Sequence, residues 1–131
     1  MLKKLSSSAQ RCPCGLSIAY EACCGRYHAN GAAPDAPSLM RSRYCAFVLR
    51  DAPYLINTWH SSTRPASIDF DPQQKWLSLE ILTSSASQST AEVEFIARFR
   101  IGGGSAQRHH EFSRFVRENG RWLYVDGDVK R

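Results

Sequence analysis

With 131 residues, 43% of them hydrophobic and 22% charged, the chain suits one compact domain, or a small metal-bound segment plus one domain, and excludes wholesale disorder. Its formal net charge of +5 would fall to +3 if four thiolates enclosed one divalent ion, a bias too mild for a dedicated nucleic-acid binder. No apolar run approaches the ~20 residues that span a bilayer, and MLKKLSSSAQ has serines where a signal peptide has its apolar core, so the cytoplasm is the expected compartment.

Residues 1–11 read as a loose basic arm. The stretch from Cys12 to Cys24, CPCGLSIAYEACC, then carries four thiols as C-x-C-x8-C-C, two at each end of a short loop. Pro13 stiffens the first pair, and Gly15 lets the backbone turn tightly beside an ion. Two close sulfur pairs joined by a loop are what a tetrahedral metal site needs, and Zn2+ is the expected ion, one per chain, on Cys12, Cys14, Cys23 and Cys24. Four thiolates close its shell and leave no position for water or substrate, so the ion is read as structural. A disulfide pair or redox thiols is the other reading. His28 stands close enough to be a neighbour of the site or an alternative ligand.

Gly25 to Pro37 is a linker by composition. Ser38 is the expected N-cap of a helix through about Arg50, with Met40, Tyr44, Phe47 and Val48 on its apolar stripe and Arg41, Arg43 and Arg50 on a solvated face. Cys45 on this helix reads as a small buried hydrophobe outside the metal set. Asp51 caps a second helix with Pro53 in its first turn, burying Leu55, Ile56 and Trp59. Past Asp71-Pro72 the period changes. Leu77, Leu79 and Ile81 alternate with polar residues, as do Val93, Phe95, Ala97, Phe99 and Ile101, and these are strands. Two more strands, near 106–118 and 121–129, flank Asn119-Gly120, a dipeptide that favours a two-residue type I′ turn. Helices followed by an antiparallel meander predict an α+β fold with helices on one sheet face.

CPCG, the spacer and CC resemble the SEC-C motif, the small zinc-binding tail of the SecA translocase ATPase. CCGRYH at 23–28, MRSRYCAFVLRDAPYLINTWHSSTRP at 40–65 and SRFVRENGRWLYVDGD at 113–128 are similar to segments of the bacterial YchJ family. The resemblance implies a SEC-C segment with its linker at 1–36, and an NTF2-like cone of helices on a curved four-stranded sheet at 37–131. In the SecA tail the last ligand is usually His, where this chain has Cys24, and the loop is rich in Gly and Lys, where this chain has Leu16 to Ala22. A SecB-type chaperone partner is therefore not expected to carry over.

In the implied cone, sheet and helices enclose a pocket. A regular hairpin about Asn119-Gly120 pairs Arg117 with Trp122, Phe115 with Tyr124, Ser113 with Asp126 and Glu111 with Asp128 on one face. With Trp59, the residues Glu111, Ser113, Phe115, Trp122, Tyr124 and Asp126 are the pocket candidates; a half-exposed sheet surface is the plainer reading of that face. His109 and His110 point to opposite faces, cannot act together, and read as surface histidines. The sequence carries no nucleophile–base pair, phosphate loop or open metal shell. It therefore favours a zinc-binding module that contacts a protein through the apolar tip Leu16, Ile18 and Tyr20, over a small-ligand binder or enzyme using the cone's interior.

Overall fold

The computed structural model describes residues 10–130; most of the basic arm lies outside them. The described residues open with a knuckle closed by an antiparallel bridge between Arg11 and Ala19, and the Cys12 N–H donates to the Ile18 carbonyl at 2.8 Å. A 3-10 turn at Tyr20–Ala22 leads into α1 (Cys24–Ala29). Gly25 is required there, because a Cβ would stand 2.7 Å from the Tyr20 carbonyl oxygen and 2.9 Å from its ring.

Helix α2 spans Ala36–Leu49 and α3 spans Ala52–Asn57. The N-cap of α2 is Asp35, three residues before the expected Ser38; its carboxylate accepts from the Ser38 N–H at 2.8 Å, so Ser38 is the capped residue. Asp51 caps α3 as the sequence indicates, accepting from the Tyr54 N–H. Four strands follow, β1 (Gln74–Ala86), β2 (Thr90–Ile101), β3 (Gln107–Glu118) and β4 (Arg121–Lys130), in one antiparallel sheet of order β1-β2-β3-β4. The helices pack on one face of this open sheet, an α+β architecture. Asn119 and Gly120 both have positive φ, as a type I′ turn demands.

Three irregularities interrupt the ladders, two in β1 (the second between Ile81 and Thr83) and one between β3 and β4. In β1 the register shifts between Trp76 and Ser78, so Trp76 pairs with Phe99 and packs on the core, whereas Leu77 is exposed. In β4 it shifts between the Phe115–Tyr124 and Arg114–Asp126 pairs, so every partner beyond Tyr124 is displaced by one.

The expected solvated arginine face of α2 is not found. Arg43 is 3% exposed, and Arg41 donates to the Cys14 carbonyl at 3.0 Å; only Arg50 is exposed, and it reaches the carbonyls of Asp71, Pro72 and Gln74. The reason is position: α2 is packed by the sheet, by α3 and by the knuckle, so no wide polar face is left over. One buried cluster runs from the four cysteines through Leu39, Met40, Tyr44 and Cys45 to Val93, Phe95 and Phe115 on the sheet.

Candidate metal centre and interior cavity

The knuckle brings Cys12, Cys14, Cys23 and Cys24 together, each 3% exposed or less, with all four sulfurs within 4.8 Å of one another. The Sγ atoms of Cys14 and Cys23 are 3.6 Å apart. Four sulfurs at about 2.3 Å around a tetrahedral ion stand about 3.8 Å apart, so the donor set fits zinc in number, type and spacing. All five cysteines are free thiols.

The electrostatics point the same way. A hydrogen bond from Cys24 draws the Cys14 thiol far below its ordinary range. Burial pushes the Cys23 thiol up to about 11, and its hydrogen bond to Cys14 drives the Cys24 thiol far upward. A divalent ion, when bound, supplies the positive charge that lets buried thiolates coexist.

Cys45 is fully buried and its Sγ lies 3.4 Å from that of Cys12, so the supposed bystander is a fifth thiol against the set. Its hydrogen bond to Cys14 raises its pKa, and it belongs to α2. His28 is not a ligand here. Its Nε2 lies 2.7 Å from the Ser42 carbonyl and must donate, so Nδ1 accepts from the Tyr20 hydroxyl at 2.7 Å. This histidine clasps the knuckle to α2 and turns Tyr20 inward, leaving Leu16 and Ile18 as the exposed tip at 45% and 43%.

Between α2 and the sheet lies a cavity of about 320 Å³. Of the pocket candidates, Trp59, Glu111, Ser113 and Tyr124 line it. Trp59 is brought there because the chain after α3 runs beside β4: Tyr124 donates its N–H to the Thr58 carbonyl, and its own carbonyl accepts from His60. Phe115 is buried core beneath, edge-on to Tyr124. Trp122 lines a separate cleft with Tyr27, His28 and Tyr54. Asp126 is removed from the cavity by the β4 irregularity: it faces Arg114, whose Nε donates to it at 2.6 Å, and Ser113 pairs with Gly127 instead.

Glu111 is the polar centre of the cavity wall. Its Oε2 accepts from Ser113 at 2.7 Å and Tyr124 at 2.9 Å, and its Oε1 from His109 Nε2 at 2.8 Å. Burial works to raise its pKa, but the hydrogen bonds from His109, Ser113 and Tyr124 outweigh that and leave it lowered. Gly127 makes the room, since a Cβ there would stand 2.7 Å from Glu111 Cδ. His109, expected at the surface, is half-buried and lines the cavity, while His110 on the opposite face meets Glu94 at 2.7 Å.

Arg43 closes the cavity from α2. Its guanidinium lies 4.9 Å from the Trp59 ring centre and 4.6 Å from that of Tyr124, and its Nη1 donates to the Leu55 carbonyl and the Thr58 hydroxyl. Burial lowers its pKa to about 10, which still leaves it charged at neutral pH. Arg43, His109 and Trp76 were not singled out as cavity residues from sequence. A glycine inside a strand, Gly127, was the available signal that something approaches β4 closely.

A family model described as the YchJ middle NTF2-like domain matches residues 35–127. A UPF0225 protein of Polaromonas is 56% identical over 129 residues, covering 91% of this chain and 93% of its own length. A SEC-C motif containing protein from Rhodopseudomonas palustris, solved in solution, superposes with a TM-score of 0.82 at 37% identity, covering 93% of this chain and all of that one. A crystal structure of a SEC-C motif containing protein from Psychrobacter arcticus gives 0.77 at 30% identity, covering 96% of this chain and 86% of that one.

Proposed function

The chain belongs to the YchJ family, and on that premise we propose that it is a zinc-binding protein-interaction module, a four-cysteine SEC-C knuckle fixed to an NTF2-like body. The observation that carries this reading is the convergence of four buried thiols within 4.8 Å, at one end of a loop whose other face is exposed and apolar. Zinc holds the knuckle's shape; Leu16 and Ile18 project from it and are the contact surface for a protein partner.

The basic residues support protein contact over nucleic acid, because most are engaged one by one instead of forming a stripe. Arg114 pairs with Asp126 and Asp128, Arg98 with Glu80, and Arg41 and Arg121 with the carbonyls of Cys14 and Asn57. No helix among the described residues is long and apolar enough to cross a membrane.

Two measurements test the reading. Elemental analysis of protein expressed in zinc-replete medium should find one zinc per chain, lost when the four cysteines are replaced together; folded, metal-free protein with two disulfides would sink it. A filter-binding titration at physiological salt should show weak, salt-sensitive and sequence-blind nucleic-acid binding, and submicromolar affinity with sequence preference would overturn the choice of partner class.

A further inference from the structure

We propose that the cavity between α2 and the sheet is a binding site for a neutral, flat aromatic molecule carrying one hydroxyl or N–H group. At about 320 Å³ it lies at the small end of the range for organic-ligand sites, a size that suits two fused rings better than a nucleotide or a larger cofactor. Its walls are aromatic on both sides. Tyr44, Phe47 and Trp76 form one, with the Trp76 ring centre 6.1 Å from Tyr44 and 6.0 Å from Phe47; Trp59 and Tyr124 form the other, edge to face at 5.1 Å. Flat rings between such walls gain apolar burial and stacking together.

Charge decides between neutral and ionic ligands. The cavity is lined by one cation, Arg43, and one carboxylate, Glu111, which offset each other. Arg43 has Trp59 and Tyr124 against its guanidinium and gives Nη1 to α3; Glu111 accepts from three donors. An ion of either sign entering this space would lose its hydration and meet a like charge beside the opposite one, Glu111 for an anion and Arg43 for a cation.

Specificity comes from His109. Glu111 accepts from His109 Nε2 at 2.8 Å, so in the neutral ring the proton sits on Nε2 and Nδ1 of this half-buried imidazole is left as the acceptor for a ligand hydroxyl or N–H. Glu111, braced by Ser113 and Tyr124 and given room by Gly127, holds the tautomer and is a positioning residue. No cysteine of the knuckle lines the cavity, although α2, against which the knuckle packs, supplies one of its walls.

The test uses the full-length protein as purified and three probes, 2-naphthol, naphthalene and 2-naphthoate, followed by the indole N–H resonances of Trp59, Trp76 and Trp122. The expected result is saturable shifts of Trp59 and Trp76 with Trp122 unmoved, and 2-naphthol about tenfold tighter than naphthalene, the order one hydrogen bond supplies. His109→Phe should bring 2-naphthol down to the naphthalene level. The wild-type comparison alone decides the matter if that variant disturbs the sheet. No saturable shift, shifts confined to Trp122, equal affinity for 2-naphthol and naphthalene, or tightest binding of 2-naphthoate would each overturn the proposal.

Discussion

Glu111 shows how a buried carboxylate is kept ionised by its neighbours. Its folded pKa lies below the ordinary glutamate value of about 4.3, so its contribution to stability is fully present above that value and is lost as pH falls through the lower folded one. Glu111→Gln should therefore lower stability at neutral pH and flatten the fall of stability as pH drops below about 4.3. Urea unfolding across that range measures it, and parallel acid limbs for the two proteins would show that the carboxylate is not held this way. Residue identities on this face were legible in the sequence as far as Tyr124, where regular counting from Asn119-Gly120 succeeds. Beyond it one extra residue carries Asp126 to the outer face. His109 was misplaced for a related reason: strand alternation tells which face a residue takes, and not whether a helix covers that face.

At the scale of elements, α2 is the member that joins everything else. Its start was read three residues late, because Ser38 and Asp35 are both good capping types and only the fold shows which one stands outside the helix. Asp35→Ala should cost about 1 kcal/mol, within the range for lost N-caps, and Ser38→Ala a few tenths at most. Chemical denaturation of both variants checks the order; a larger loss from Ser38→Ala would return the cap to the later position. The arginines of α2 were the largest misreading. A polar residue in a helical pattern is ordinarily solvated, yet Arg43 is buried because the Leu55 carbonyl and the Thr58 hydroxyl at the end of α3 accept from it and rings lie against its guanidinium. The strands were clearer, since their alternation over β2 and the turn chemistry at Asn119-Gly120 are local signals.

For the molecule as a whole, the continuous buried cluster bears on what metal loss does. The sequence alone suggests that chelation would disorder about residues 1–36 and spare the sheet. The contacts extend that expectation to α2, where Arg41, Ser42 and Cys45 all touch the knuckle or its clasp. Chelator should therefore strip amide-exchange protection from the knuckle and α1, weaken it along α2, and leave β2 and β3 protected. Loss of protection across the whole sheet would mean that the metal stabilises the fold globally. The four-cysteine spacing was the most informative stretch of the chain, because metal ligation fixes geometry locally; Cys45 could not be placed beside it without knowing how α2 docks.

The zinc centre is the claim on which the account rests, and X-ray absorption at the zinc edge tests it most directly. Full-length protein from zinc-replete medium should show four sulfur neighbours at about 2.3 Å. The same spectrum should be obtained from Cys45→Ala, since the proposed ligands are the four clustered cysteines Cys12, Cys14, Cys23 and Cys24. A nitrogen or oxygen donor in the shell, or a shell that changes with Cys45→Ala, would contradict the assignment.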